Sequence, residues 1–271
     1  MLPYSPSLAL RLAEHSAAVY YLPHQFARWS LDQRHAGAMT IERGSTQVGV
    51  AYGPDGIIVA ARGSEAIGDW GENLAAWRVR WKPVPHGRVH VGFRWQASRV
   101  AVELEDAVSA LVMRYPDAPV YITGHSLGGA LAVLLAPLLR PCGADAIYTF
   151  EAPRAGNAAF SAWYDRLYGE RTFRVVCIRR GCADLATRIP LSACGWWHVG
   201  QPVMIRDGIP YESEAAWEQA RAAHPVKPLA QWRIISRLAA GVQAHKAVTL
   251  VEELRRGVGV RATALDDLCA R

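Results

Sequence analysis

The sequence predicts an α/β fold, a largely parallel sheet with helices on both faces, in one domain covering residues 1–271. Three observations predict it. Runs of β-branched and aromatic residues alternate with segments of helical periodicity, the pattern of strands joined by crossover helices. Hydrophobic residues make up 51% of a 271-residue chain, enough for one sizeable core without a second domain. Near the middle, Val120-Tyr121-Ile122-Thr123-Gly124-His125-Ser126-Leu127-Gly128-Gly129-Ala130-Leu131-Ala132 reads as a buried strand, a sharp turn and the start of a helix.

The elements follow in order. Ser7–Tyr20 has the apolar spacing of an amphipathic helix, and Gln47–Tyr52 with Gly56–Ala61 forms a hairpin about Gly53-Pro54-Asp55-Gly56. A tryptophan-rich segment, Asp69–Trp81, and a loop, Pro83–Gly87, lead to a long helix over Phe93–Arg114 with Val100, Leu104, Val108 and Leu111 on one face. The central strand is followed by a helix over Ala130–Leu139, then a strand at Ala146–Phe150, a helix at Ala158–Tyr168 and a strand at Phe173–Ile178. Arg179–Pro190 is a loop and Trp197–Ile205 an edge strand. Ser213–Ala223, Leu229–Ala240 and Gln243–Arg256 are helical.

The turn Gly124-His125-Ser126-Leu127-Gly128 matches G-x-S-x-G, in which a serine stands on a strained strand-to-helix corner with its hydroxyl exposed. Gly124 and Gly128 lack a Cβ, so neighbouring backbone can approach the corner. The N–H of Leu127, at the head of the helix, would face a developing oxyanion. A serine hydroxyl needs a base and an orienting acid to act as a nucleophile, so Ser126 implies partners later in the chain.

Composition excludes several classes. No apolar run is long enough for a membrane span, and the N-terminus lacks the basic and apolar regions of a signal peptide. The expectation is a cytoplasmic protein, with export lacking a visible signal as the other route. The five cysteines show no C-x-x-C spacing, which argues for free thiols and against a zinc site. The net charge of +6 suits an anionic membrane surface, nucleic acid or simply a solvated basic face. No nucleic-acid motif is present, so no nucleic-acid partner is expected.

Five stretches, in order, resemble the class 3 (fungal-type) lipases of the α/β-hydrolase superfamily. They are Ile58–Ser64 followed by Asp69-Trp70, Val89–Phe93, the Ser126 turn, Tyr148–Asn157, and Asp184–Pro190. A weaker match lies near His245. Ala61 stands where the family has an aromatic residue, Glu151 where a glycine is common, and Ala186-Thr187 where Val-Pro is usual. The segment 206–241 has no evident counterpart.

The resemblance implies a serine hydrolase cleaving carboxylic esters, most readily lipid acyl esters, through an acyl-enzyme. The order nucleophile, acid, histidine makes Ser126 the nucleophile and Asp184, after the Phe173–Ile178 strand, the acid; Asp145 precedes a strand and Asp165 lies within a helix. His245 stands at the family's late histidine position, with His198 in reserve, and His224 lies in a linker before Pro225. His125 and His90 read as structural. Ser64 would join Leu127 in the oxyanion hole. Glu65–Lys82 falls where the family carries a lid, so Trp70, Trp77 and Trp81 would contact substrate lipid and Arg78, Arg80 and Lys82 an anionic membrane surface, unless the tryptophans are core. No metal or organic cofactor is implied, and the oligomeric state is not encoded in any motif. The alternative is a catalytically silent lipase-fold protein that binds a lipid or a partner.

Overall fold

The computed structural model describes residues 3–63, 77–85, 87–179, 182–183, 185–206, 208–211 and 242–259. Its core is a nine-stranded sheet built on the β-rich runs of the sequence. The strands are β1 (Gly37–Arg43), β2 (Thr46–Gly53), β3 (Gly56–Ala61), β6 (Val120–His125), β7 (Ala146–Phe150), β9 (Thr172–Arg179), β12 (Gln201–Arg206) and β13 (Ile209–Tyr211) in that spatial order, with β10 (Cys182–Ala183) paired to β9. β3, β6, β7, β9 and β12 run parallel, and antiparallel strands close both edges.

Both faces of the sheet are covered, which is why β3 has every residue buried and reads as a continuous apolar run. Side chains alternate between faces. Ile57 and Val59 join Ile122 and Ile147 against α3 (Val91–Arg114) and α4 (Leu127–Leu138). Ile58, Tyr148, Phe150 and Phe173 point the other way, against α1 (Pro6–Ala18) and α6 (Val242–Val258). All residues of α4 from Leu127 to Pro137 are buried; a helix apolar all round belongs inside. Each large aliphatic side chain so buried contributes about 1.5–3 kcal/mol.

A second sheet of four short strands has the order β11 (Trp196–Trp197), β8 (Gly156–Asn157), β5 (Arg88–His90), β4 (Arg78–Arg80). β8 follows the C-terminal end of β7, and α5 (Ala158–Tyr168) leads the chain back to β9. α3 runs from β5 to the start of β6, so its first turns lie at the C-terminal edge of the parallel strands. Both features place the small sheet at the edge where β6 ends.

Several expectations are corrected. The helix after the central turn begins at Leu127, three residues before Ala130, because the turn itself supplies its first carbonyl. The stretch Trp197–Ile205 is not one edge strand. Trp196-Trp197 pairs with β8, Gly200 at φ +73° redirects the chain, and β12 then lies between β9 and β13. The Arg179–Pro190 loop carries strand β10 and a 3₁₀ turn, Leu185–Arg188. Sequence reading did not anticipate α2 (Pro23–Asp32), the edge strands β1 and β13, or the short strands β4, β5 and β8. The helices expected at 213–223 and 229–240 lie outside the described residues. No described helix is long and apolar enough to cross a membrane.

Candidate active site

Ser126 stands between β6 and α4 at φ 55°, ψ −125°, a conformation that costs an L-residue of order 1–3 kcal/mol and persists only when its surroundings impose it. Those surroundings are specific. The Ser126 N–H donates to Phe150 O at 2.8 Å, tying the corner to the end of β7, and Ser126 O accepts from Gly129 N–H at 2.9 Å. The first N–H groups of a helix have no intrahelical acceptor, which leaves that of Leu127 available at the head of α4. No described residue hydrogen-bonds the Ser126 hydroxyl.

The glycines permit this packing. A Cβ on Gly124 would lie 2.2 Å from Gly128 O, and one on Gly128 would lie 2.1 Å from Ala61 O. The end of β3 is therefore pressed directly against the corner. Two residues on, the space beside Gly63 is filled by the Tyr20 hydroxyl and by His125 O. Ser64 follows at once in sequence.

Behind the corner lies a buried polar layer. His125 Nε2 is 3.4 Å from Glu151 Oε2, both side chains sealed from solvent, and Glu151 holds φ +51°. The Tyr20 ring meets that of His125 at 6.5 Å between centroids. Burial pushes the Tyr20 phenol well above its usual range, against smaller opposing effects from the Gly63 backbone and Arg62. Arg62 lies over the Tyr20 ring and donates from Nη1 to Gln47 Oε1 at 2.7 Å. Sequence reading noted Glu151 only as a departure and missed Tyr20; a carboxylate replacing a customary glycine was the available signal.

The remaining candidates fall as follows. Ser64, Trp70 and Asp184 lie outside the described residues. His245 belongs to the first turn of α6, whose far end abuts the β12–β13 turn through Gly257 and Gly208, and its side chain is also outside the description. His198 is half-buried, with Nε2–H donating to Thr187 O at 2.8 Å. Burial, reinforced by Arg174 and Arg154, lowers its pKa to about 3 against the Thr187 hydrogen bond. It ties the Leu185–Arg188 turn to the start of β12. His90 caps α3, its Nδ1 accepting from Gly92 N–H at 3.2 Å, and burial lowers its pKa to about 4. Asp165 accepts from Gly200 N–H and Asp145 from Val120 N–H, both at 2.7 Å.

The tryptophan-rich segment divides. Trp81 is only 4% exposed and packs against Phe160, the core alternative expected for it. Arg78 donates to Gly195 O at 2.9 Å and stacks on Trp196, which holds its guanidinium against the small sheet. Trp77 is 76% exposed.

Among the described residues no cluster of His, Cys, Asp or Glu is arranged to hold a metal ion. Relatives share this architecture. The chain is 33% identical over 167 residues to the lipase of Rhizomucor miehei, covering 57% of this chain and 43% of that one. It is 33% identical over 159 residues to a secreted mono- and diacylglycerol lipase 1 of Fusarium solani, covering 58% and 46%. The chain thus spans less than half the length of these relatives. A solved triacylglycerol lipase, whose catalytic centre is described as a serine protease triad, superposes with a TM-score of 0.62 at 30% identity, over 73% of this chain and 79% of that one. The family model for lipase (class 3) matches residues 58–193, half of the chain, from β3 through the Ser126 corner to the turns before β11. A strained serine between a parallel strand and an apolar helix, carried on that matched half, makes this chain a member of the class 3 lipase family.

Proposed function

We propose that this protein hydrolyses carboxylic esters of lipids through a covalent serine intermediate. Ser126 Oγ attacks the carbonyl carbon while His245 takes its proton, and Asp184 orients the imidazole. The negative oxygen that forms is received by the Leu127 N–H, with Ser64 as second donor. Collapse of the tetrahedral intermediate breaks the ester C–O bond, and the alcohol leaves with the proton from His245. Water, deprotonated by the same histidine, then attacks the acyl-enzyme and releases the fatty acid.

The observation that carries the reading is the backbone of Ser126, held at φ 55° by Phe150 O and the glycine contacts. Strain of this kind is retained where it aims a side chain. Ser64 is supported by the contact of residues 61–63 with the corner. Asp184 and His245 rest on chain order and on the family resemblance. The lipid substrate rests on the names of the relatives.

The test is labelling with a fluorophosphonate together with turnover of a short-chain ester. Wild type should be labelled at Ser126. Ser126→Ala should lose the label and roughly 10⁴- to 10⁶-fold in kcat while remaining folded. Turnover near that of wild type by pure, folded Ser126→Ala would overturn the reading.

A further inference from the structure

The helix α3 has 24 residues and buries Phe93, Ala97, Val100, Leu104, Val108 and Leu111 against the central sheet. Its opposite face is apolar too. Val91 is 40% exposed, Trp95 53%, Val102 73% and Met113 77%. At about 100° per residue these four fall on one stripe along the helix, turned about 180° from the buried face. The outward face of a surface helix is ordinarily polar. Exposed apolar side chains scattered singly need no explanation, but four in line along one helix form a patch.

The patch is self-complementary. With Ser98, Asp106 and Ser109 included, the outward positions from Val91 to Met113 step by 4, 3, 4, 4, 3 and 4 residues, a spacing that reads the same from either end. A second α3 laid antiparallel about a two-fold axis at Val102 therefore sets stripe on stripe. Val102 meets Val102, Trp95 is level with Ser109, and Val91 is level with Met113. Helical side chains lean toward the N-terminus, so Trp95 of one copy and Met113 of the other lean toward each other; ring and thioether sulfur attract. The charges fit the same register. Before Val102, α3 holds Arg94 and Arg99 and no acid; after it come Glu103, Glu105 and Asp106, with Arg114 at the end. This order opposes the helix macrodipole, which favours acids and not arginine in the first turn, so the stability of α3 does not account for it. Glu103 pairs with Arg43. Arg99 and Asp106 are exposed, and neither has an ion-pair partner among the described residues. The Arg99 guanidinium, stacked over the Trp95 ring at 4.4 Å, comes level to within one residue with Asp106 of the second copy, on the same flank of the stripe.

We propose that the outward face of α3 binds a second copy of this chain, the two helices antiparallel about Val102, with Arg99 of each copy on Asp106 of the other. The contact is isologous, so each charge pair occurs twice. A parallel pairing would set the two arginine-bearing halves against each other. A 24-residue helix is about 36 Å long and its contact face about 10–12 Å wide, so the pair buries on the order of 400 Å² per copy. A standard complex buries about 800 Å² per partner, so this is a weak dimer, with a dissociation constant on the order of 10 μM rather than 1 nM. The first turns of α3 lie at the edge of the central sheet where Ser126 stands. Antiparallel pairing therefore places the two Ser126 corners at opposite ends of the dimer and covers neither. Dimerisation does not depend on the hydrolase reading.

The experiment is sedimentation equilibrium of the full chain over concentrations from about 1 to about 300 μM, at low and moderate salt. Wild type should pass from monomer to dimer across that range, less readily as salt rises. Arg99→Glu and Asp106→Arg should each weaken the dimer about 10-fold or more, because each sets two like-charge pairs across the axis. The double variant Arg99→Glu/Asp106→Arg, and an equimolar mixture of the two single variants, restore opposite charges and should recover most of the lost affinity. Val102→Glu places two carboxylates on the axis and should leave monomer. Circular dichroism checks that these surface variants are folded. Wild type that stays monomeric throughout overturns the proposal, even if it sediments with lipid vesicles or an oligonucleotide, which would assign the stripe to that partner. A dimer that persists in Val102→Glu, or single variants that the mixture does not rescue, also overturns it. Turnover of a short soluble ester should be unchanged in every variant, so failure of dimerisation and failure of the hydrolase reading are read separately.

Discussion

His125 and Glu151 meet behind the Ser126 corner, Nε2 to Oε2 at 3.4 Å, with side chains 1% and 2% exposed. The contact joins the last residue of β6 to the residue after β7, the same two strand ends that the Ser126–Phe150 hydrogen bond joins through backbone. Glu151 reaches it from a left-handed backbone, φ +51°, that a glycine would adopt without strain.

Two substitutions at that position separate side chain from backbone. Glu151→Ala removes one member of a buried polar pair and keeps the strain, and should destabilise by about 1–3 kcal/mol. Glu151→Gly loses the same contact but relieves the backbone, recovering about 1–2 kcal/mol relative to alanine. Denaturant unfolding measures both. Equal stability of the two variants would show that the positive φ carries no cost.

Ser126 invites the corresponding test at the centre of the site. Ser126→Gly should be inert toward esters yet more stable than Ser126→Ala by about 1–3 kcal/mol, because glycine occupies φ 55°, ψ −125° with less strain. A melting temperature for the glycine variant no higher than that of the alanine variant would place the strain elsewhere.

The two late histidines are expected to fail differently. His198→Ala removes the half-buried hydrogen bond to Thr187 O and should destabilise by about 0.5–1.5 kcal/mol, with turnover per folded molecule within a few-fold of wild type. His245→Ala should cost kcat about as much as Ser126→Ala, roughly 10⁴- to 10⁶-fold, because nucleophile and base act as a unit. Measured together, a collapse of kcat in His198→Ala and its survival in His245→Ala would reverse the assignment of the base.

A second buried pair makes stability depend on pH. His15 Nδ1–H donates to Arg11 O at 2.7 Å, so neutral His15 accepts at Nε2 from His35 Nε2–H at 2.9 Å. Burial lowers His15 to about 3, helped by His35 and the Arg11 charge. Burial lowers His35 to about 4, helped by Arg11 and opposed by Asp55. Both lie below the value of about 6.5 for an unfolded chain. The unfolded state therefore binds more protons between about pH 6.5 and pH 3, and stability rises with pH across that window. The contribution is complete above about pH 6.5 and is lost as pH falls through 4 toward 3. Imidazole resonances followed by NMR should show His15 and His35 neutral at pH 5, and a midpoint near 6.5 for either would refute the assignment.

Local chemistry in the sequence determined the parallel strands, the helices between them and the serine corner. Ala146–Phe150 and Ala158–Tyr168 run where their patterns place them, since a strand buried on both faces leaves a short continuous apolar and β-branched run and an amphipathic helix a period-3.6 signal. The glycines at 124 and 128 likewise announce a close approach before the approaching group is known. Edge elements left weaker traces. β1 buries only Ile41 fully, and α2 is a three-turn helix whose buried face is little more than Phe26, Trp29 and Ser30.

Tertiary structure alone decided which groups meet. That Ala61 O fills the space beside Gly128, that Trp81 turns inward while Trp77 faces solvent, and that Glu151 finds His125 are facts of packing between segments far apart in the chain. A tryptophan carries the same side chain in a core and at a lipid boundary, so composition could not separate Trp77 from Trp81; only their neighbours could. The same holds for the arginines. Arg78 donates to Gly195 O and stacks on Trp196, while Arg80, two residues on and on the same face of the strand, is exposed, because only Arg78 has those neighbours within reach.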